Sequence, residues 1–177
     1  MQHLTRDELL KLLGAAKAHS DRDWLAILVG FWHGLRVSEI IGFTPVAVRD
    51  GYITIQRLKG SLKTTQPLVA HAEPLLDERD ALTRLAAQSE AGKPVFRLSR
   101  QRFWKIMQMH CKTAGIPEHK AHPHVLKHTI AMQTIKSAGI ENVRQYLGHK
   151  SISSTGAYLK VDDDQASQAI AGAIDGK

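Results

Sequence analysis

Cysteine is almost absent from this chain, and long apolar runs are absent altogether. Cys111 is the single cysteine among 177 residues, so no disulfide can form within the chain and an oxidising compartment is not required. No apolar run approaches the ~18 residues of a membrane-spanning helix. The N-terminus also lacks the basic and then apolar layout of a signal peptide. These absences predict a soluble, cytoplasmic protein.

Acidic residues are outnumbered by basic ones. The chain has 24 Lys and Arg against 17 Asp and Glu, a formal charge of +7 and an isoelectric point near 9.7. Such a balance suits a polyanionic partner such as DNA, although charge alone leaves that partner open. A chain of 177 residues fits one domain and can bury a substantial core.

The pattern of apolar residues predicts a mostly α (α+β) fold with one small antiparallel sheet. Thr5 with Glu8 forms a capping box, and Ser20 begins a second helix that is apolar nearly all round and ends at Gly34. Residues 46–69 contain the turn signal Asp50-Gly51 and β-rich segments. Further helices are predicted at 74–91, 102–114, 125–138, 142–147, 153–159 and 162–174.

Three short runs and one tyrosine hold residues suited to phosphoryl transfer. Residues 34–39 read Gly-Leu-Arg-Val-Ser-Glu, 122–128 read His-Pro-His-Val-Leu-Lys-His, and 147–149 read Leu-Gly-His, with Tyr158 nine residues after His149. These runs resemble the catalytic boxes of the tyrosine recombinase (phage integrase) family, in the order Arg, Lys, His, a basic residue, His and Tyr. The resemblance extends from Arg36 to Tyr158, and it implies the DNA breaking-rejoining fold of that family.

By this resemblance Tyr158 is the nucleophile that forms a 3′-phosphotyrosyl bond with DNA. A tyrosine hydroxyl is a poor nucleophile at neutral pH because its pKa is about 10. We therefore expect neighbouring cations to lower the pKa of Tyr158. The resemblance also implies that Arg36 binds the scissile phosphate through its planar guanidinium group and that Glu39 orients Arg36.

A catalytic lysine of the family lies on a β-hairpin before a Pro-Leu pair. Counting back from Pro67 and Leu68 assigns that function to Lys59, with Lys63 as the second choice. Nearby cations lower the pKa of such a lysine, and the lysine can then protonate the departing 5′ oxygen.

The remaining basic residues of the boxes are His124, Lys127 and His149. The resemblance implies that all three contact the phosphate, or, for His149, the tyrosine. In the family an arginine is usual three residues after the histidine that matches His124, where the chain has Lys127. The lysine keeps the positive charge, so the two alternatives are weaker binding of the phosphate and a catalytically inactive site. His124 and His128, at i and i+4, have the spacing of a metal pair, but the set lacks the further ligands of a zinc site. No metal and no cofactor is expected.

The resemblance implies a site-specific recombinase that acts on double-stranded DNA, integrates or excises a phage or other mobile element, and assembles as a tetrameric synapse. Residues 1–177 are expected to be the catalytic domain, without the family's N-terminal core-binding domain. Two alternatives remain: a type IB topoisomerase, and a DNA-binding relative with an inactive site.

The segment after Tyr158 has an apolar stripe that resembles the tail by which family members dock on a neighbouring protomer. Packing of this stripe inside the chain is the alternative. The stripe comprises Ala166, Ala169, Ile170, Ala173 and Ile174.

Overall fold

The computed structural model describes residues 2–58, 61–158 and 163–174, with the backbone alone for 163–166 and 169. In these residues the chain forms short helices around one small sheet, which confirms the predicted fold class. The helices are α1 Arg6–His19, α2 Asp21–Trp32, α3 Val37–Gly42, α4 Arg79–Gln88, α5 Arg100–Thr113, α6 His124–Ala138, α7 Ile140–Tyr146, α8 Ser153–Gly156 and α9 Asp163–Ile174. The strands are β1 Val48–Arg49, β2 Tyr52–Ile55 and β3 Thr64–Pro67. None of the helices described is long and apolar enough to cross a membrane.

The predicted helix starts are confirmed at α1 and α2. Thr5 Oγ1 accepts the backbone N–H of Glu8 at 3.1 Å, and the Glu8 carboxylate accepts the N–H of Thr5 at 2.8 Å. Ser20 Oγ accepts the N–H of Asp23 at 3.3 Å. Each cap satisfies N–H groups that have no partner inside the helix, which fixes where the two helices begin.

Helix α2 runs through the centre of the core, as its continuous apolar sequence predicted. Every residue from Asp23 to Phe31 is buried, and α2 packs against both α1 and α6. A Cβ on Gly30 would lie 2.7 Å from Ile40 Cδ1 and 3.1 Å from Leu126 Cδ1. Glycine at this position therefore lets α3 and α6 approach the central helix closely.

The three strands form an antiparallel sheet in the order β1-β2-β3. The predicted turn joins β1 to β2, with positive φ at both Asp50 and Gly51. In β2, Ile53 and Ile55 point to the core while their neighbours are more exposed, as the two-residue period of a strand requires. The longer connection from β2 to β3 is the hairpin whose residues reach the candidate site.

The segment 74–91 differs from the single helix that its spacing predicted. Pro74–Leu76 is a turn of 3₁₀ helix, and α4 begins only at Arg79. The indole N–H groups of Trp24 and Trp32 donate to the carbonyls of Leu75 and Leu76, each at 2.9 Å. Because these tertiary hydrogen bonds engage the two carbonyls, the first turn does not continue into the helix.

A buried polar cluster lies where the end of α2 meets β3 and the start of α4. His33 contacts Gln66 Oε1 through Nδ1 at 2.6 Å and Glu78 Oε1 through Nε2 at 2.7 Å. Gln66 Nε2 donates to the carbonyl of Tyr146 at 2.7 Å, so its oxygen must face His33 and His33 Nδ1 must be the donor. The cluster fixes the position of β3 relative to α2 and α7, whose neighbouring residues form the candidate site.

Candidate active site

Arg36 lies at the start of α3, directly after the tight turn that ends α2. Gly34 has a φ of +57° in that turn, and a Cβ there would also collide with the side chain of Leu147, so the position needs glycine. Arg36 Nη1 donates to Glu39 Oε1 at 3.3 Å and to Ser61 Oγ at 3.2 Å. The side chain of Arg36 keeps 29% of its surface exposed, so its guanidinium remains accessible to a ligand.

Glu39 is a buried carboxylate that several donors of the site share. It accepts the backbone N–H of Arg36 at 2.8 Å and of Leu58 at 3.3 Å, and Arg57 Nη1 at 3.2 Å. Burial alone would raise the pKa of Glu39. The hydrogen bonds and the positive charges of Arg57 and Lys127 outweigh burial and keep that pKa below its ordinary value. Glu39 is therefore ionised and holds both the backbone and the guanidinium of Arg36.

Arg57 belongs to the same network and was missed by the sequence analysis. Its side chain is fully buried and donates to the carbonyls of His33 at 2.8 Å and Gly34 at 3.1 Å, and to Thr64 Oγ1 at 2.9 Å. One guanidinium thus ties the turn before Arg36 to both sides of the hairpin. Its position continues the inward alternation of Ile53 and Ile55, a signal that could have identified it, since a buried arginine needs partners.

The hairpin between β2 and β3 reaches two parts of the site. Lys59, assigned as the catalytic lysine, lies outside the described residues, while the second choice, Lys63, is exposed. On the far side of residues 59–60, Ser61 forms an isolated antiparallel bridge with His149. The backbone N–H of Leu62 donates to the carbonyl of Gly148 at 2.8 Å. The residues that flank 59–60 therefore contact Glu39 on one side and Arg36 and His149 on the other.

Lys127, on α6, is almost completely buried, with 4% of its surface exposed. Within the part of the chain that is described, its Nζ has no hydrogen-bond partner. Burial, followed by the positive charges of Arg36 and Arg57, lowers the pKa of Lys127 to about 7, against an opposing contribution from Glu39. The amine is thus an enclosed donor that is close to the positive charges of two arginines and has no partner in the described residues.

His149 is held in place by the turn that ends α7. Gly148 has a φ of +69°, and a Cβ there would lie 2.7 Å from the carbonyl oxygen of Leu62. The ring Nδ1 of His149 is 2.9 Å from Thr155 Oγ1. Burial, then the charges of Lys127 and Arg36, lower the pKa of His149 to about 4. The ring is therefore neutral, and its Nε2 remains available for a ligand.

Tyr158 lies next to a pair of histidines from the start of α6. The rings of His124 and His128 stack with centroids 6.1 Å apart, and the edge of His128 meets Tyr158 at 5.8 Å. His124 is exposed, and Tyr158 is 7% exposed. Burial raises the pKa of Tyr158, and the charge of Arg36 only opposes that rise. The expected lowering of this pKa by cations is wrong for the protein alone, because the loss of solvation is the larger effect.

The fold thus brings together residues that are distant in the sequence. The positive charge of Arg36 acts on Lys127, on His149 and on Tyr158. His124 connects to this group through His128. The result is a basic, partly enclosed surface with one neutral phenol at its edge. Chemically, such an arrangement can bind an oxyanion and present a hydroxyl to it.

Comparison with known proteins gives matches over nearly the whole chain. The model of the phage integrase family matches residues 2–165. Tyrosine recombinase XerA of Pyrococcus furiosus is 29% identical over 177 aligned residues, covering 94% of this chain and 60% of XerA. The type 1 fimbriae regulatory protein FimB of Escherichia coli K12 is 32% identical, covering 86% of this chain and 80% of FimB.

Solved structures with a similar fold include that of a XerA recombinase. A crystal structure of XerA recombinase superposes with a TM-score of 0.69 and 25% identity, over 96% of this chain and 62% of that one. The chain therefore spans about three fifths of XerA in both comparisons.

Proposed function

Since the chain belongs to the phage integrase family, the tyrosine recombinases, we propose that it is a site-specific DNA recombinase. It cleaves one DNA strand through a 3′-phosphotyrosyl intermediate at Tyr158 and rejoins it to a new partner. Its biological task, as the resemblance to the family implies, is the integration or excision of a phage or other mobile element. We place this activity in the cytoplasm, where the DNA is.

One observation carries the proposal: Arg36 is far from Lys127, His149 and Tyr158 in the sequence, yet its charge acts on all three, and all three are buried. A fold that needed only a stable core would not gain from enclosing the Lys127 amine, which has no hydrogen-bond partner among the described residues, beside Arg36 and Arg57. A buried ammonium without a partner is costly. A phosphodiester supplies the missing anion for this amine. The cost is then offset only when DNA is bound.

The clamp on the phosphate consists of Arg36, Lys127 and His149, with His124 at its exposed side. Arg36 is already oriented by Glu39 and keeps free N–H groups for a non-bridging oxygen. Lys127 contributes a point charge, and His149 contributes a hydrogen bond from its free ring nitrogen. Donors held in place before the reaction stabilise charge on the equatorial oxygens without further rearrangement.

The chemical step balances with residues of the chain and solvent. Tyr158 Oη attacks phosphorus, and the bond from phosphorus to the 5′ oxygen breaks. The phenol proton passes to solvent, because a pKa of about 4 makes the ring of His149 too weak a base to hold it. The leaving 5′ oxygen takes a proton from Lys59. Attack by the 5′ hydroxyl of another duplex reverses the step and releases Tyr158.

Double-stranded DNA and further copies of the chain are the partners of this reaction. The charge of +7 favours binding to a polyanion. In α9, Ile170 and Ile174 are 64% and 80% exposed, which favours docking on a neighbouring protomer over packing within the chain. Ala173 is also exposed, whereas the side chains of Ala166 and Ala169 lie outside the described residues. The restriction of residues 1–177 to the catalytic domain stays a prediction.

The test is covalent capture of DNA. The full chain is incubated with end-labelled duplexes that have a randomised central segment and a nick in one strand, so that the released piece diffuses away and cleavage cannot reverse. A labelled protein-DNA adduct on a denaturing gel is expected, and sequencing the captured duplexes defines the target. Tyr158→Phe is expected to bind DNA and to form no adduct.

Tyr52→Phe is the matched control, because Tyr52 is half exposed on β2 and has no part in the proposed chemistry. It should form the adduct as the parent does. If DNA were bound but no adduct formed with any duplex, the chain would be an inactive DNA-binding relative. If supercoiled plasmid were relaxed while no strands were exchanged between duplexes, the activity would be that of a type IB topoisomerase.

A further inference from the structure

Three side chains that the candidate active site does not use converge where α1, α2 and α5 meet. His19 is the last residue of α1, Asp23 lies in the first turn of α2, and His110 comes from α5. Asp23 Oδ2 is 3.0 Å from His110 Nε2 and 3.7 Å from His19 Nδ1. The two rings meet edge to face, with centroids 5.3 Å apart.

The spacing of the three ligand atoms is close to that around a tetrahedral metal ion. With metal-ligand bonds of about 2.0–2.1 Å, two tetrahedral ligands lie about 3.3 Å apart. The two measured separations, 3.0 and 3.7 Å, bracket this value, and all three atoms lie within 4.8 Å of one another. A shift of the His19 ring toward the other two would complete the geometry.

Burial and hydrogen bonding prepare the set for such an ion. Asp23 and His110 are 1% and 2% exposed, while the side chain of His19 is 57% exposed. The two buried ligands are therefore held in place, and the one that must move is free to do so. The second oxygen of Asp23 accepts a hydrogen bond from Arg22 Nη2 at 3.3 Å, which leaves Oδ2 directed at the histidines. Outer contacts of this kind orient ligating carboxylates.

We propose that His19, Asp23 and His110 bind a divalent transition metal ion, with zinc as the preferred ion. Two imidazoles and one carboxylate are a ligand set that zinc accepts, with water in the fourth position on the exposed side. The bound ion joins the α1–α2 junction to α5. The site has no part in the proposed DNA chemistry, and its effect is on the stability of the fold.

Titration of the metal-free full chain with Zn²⁺, followed by calorimetry and by thermal unfolding, tests the proposal. We expect one strong equivalent per chain and a rise in Tm on zinc addition. Co²⁺ in its place should give the visible absorption of a tetrahedral centre. His19→Ala and His19→Gln should each weaken binding at least about tenfold and abolish the Tm rise, and both should fold, because His19 is exposed.

His119→Ala is the matched control, since His119 is an exposed histidine on a neighbouring turn, and it should bind zinc as the parent does. His124→Ala tests the competing histidines of the active site. Zinc binding that survives both His19 substitutions, or that is lost in His124→Ala, would overturn the proposal. The absence of any binding at a metal concentration several times that of the protein would overturn it as well.

Discussion

Replacing Lys127 by methionine should make the protein more stable at neutral pH and much less active. Methionine preserves most of the volume of the side chain and removes the amine that has no partner among the described residues. If Lys127 binds the phosphate, its buried positive charge lowers the stability of the DNA-free protein and is also the charge that the reaction needs. Loss of one preorganised donor at an oxyanion site costs on the order of 10²-fold in rate.

The effect on stability can be worked out from the pKa. Folding lowers the pKa of Lys127 from 10.5 to about 7, and with about 1.4 kcal/mol for each pKa unit this amounts to on the order of 5 kcal/mol. Below about pH 7 the amine is protonated in both states and the penalty is complete. Between pH 7 and 10.5 the unfolded chain holds more protons, so the free energy of unfolding rises with pH. Lys127→Met has no titrating amine at this position and should not show this rise. Its advantage in stability over the parent should therefore shrink as the pH increases.

The effect on cleavage has the opposite sign. Above pH 7 a growing fraction of the free protein lacks the Lys127 charge, so cleavage at low DNA concentration should fall about tenfold per pH unit, or about thirtyfold by pH 8.5. Lys127→Arg keeps its charge throughout this range. Its profile should therefore be flat where that of the parent falls, provided the pocket admits the larger group.

Single-turnover cleavage of suicide duplexes between pH 6 and 9, at DNA concentrations well below the dissociation constant, measures this difference. Urea unfolding at the same pH values measures the stability of the parent and of Lys127→Met. Parallel pH profiles for the parent and Lys127→Arg would refute the reasoning, as would a Lys127→Met variant that cleaves as fast as the parent. A parent that cleaves only after conversion to Lys127→Arg would show that the native lysine disables the site.

Three further outcomes follow from the contacts. Arg57→Met should lower the free energy of unfolding by about 3–5 kcal/mol, since a buried carboxylate and two carbonyls lose their donor; urea midpoints near that of the parent would contradict this. His33→Ala removes the 2.7 Å contact between His33 Nε2 and the buried carboxylate of Glu78 and should lower the free energy of unfolding by about 1–3 kcal/mol; an unchanged calorimetric Tm would contradict this. Ile170→Ser combined with Ile174→Ser should retain cleavage but lose the DNA-bound tetramer in sedimentation experiments; intact tetramers would exclude α9 from the interface.

Local signals in the sequence predicted the helices and strands well. Thr5 and Ser20 begin helices because their side chains cap N–H groups within three residues, an interaction that neighbouring residues decide alone. The assignment failed at 74–91, where indoles from a distant helix engage the carbonyls of Leu75 and Leu76. No local pattern contains that information.

The candidate site was predictable in its residue types but not in its energetics. Spacing and order pointed to Arg36, Lys127, His149 and Tyr158, which the fold brings together. Their pKa values depend on burial, which a sequence does not give, so the raised pKa of Tyr158 went against expectation. Arg57 was missed because its four hydrogen-bond partners come from three separate segments.

The central claim is that Tyr158 joins to the 3′ end of a DNA strand, and mass spectrometry of the trapped adduct tests it most directly. After digestion with protease and nuclease, the peptide that contains residue 158 should bear a nucleotide attached through its 3′ phosphate, and the released strand should end in a 5′ hydroxyl. A nucleotide on Tyr52 or Tyr146, or a linkage through a 5′ phosphate, would contradict the account.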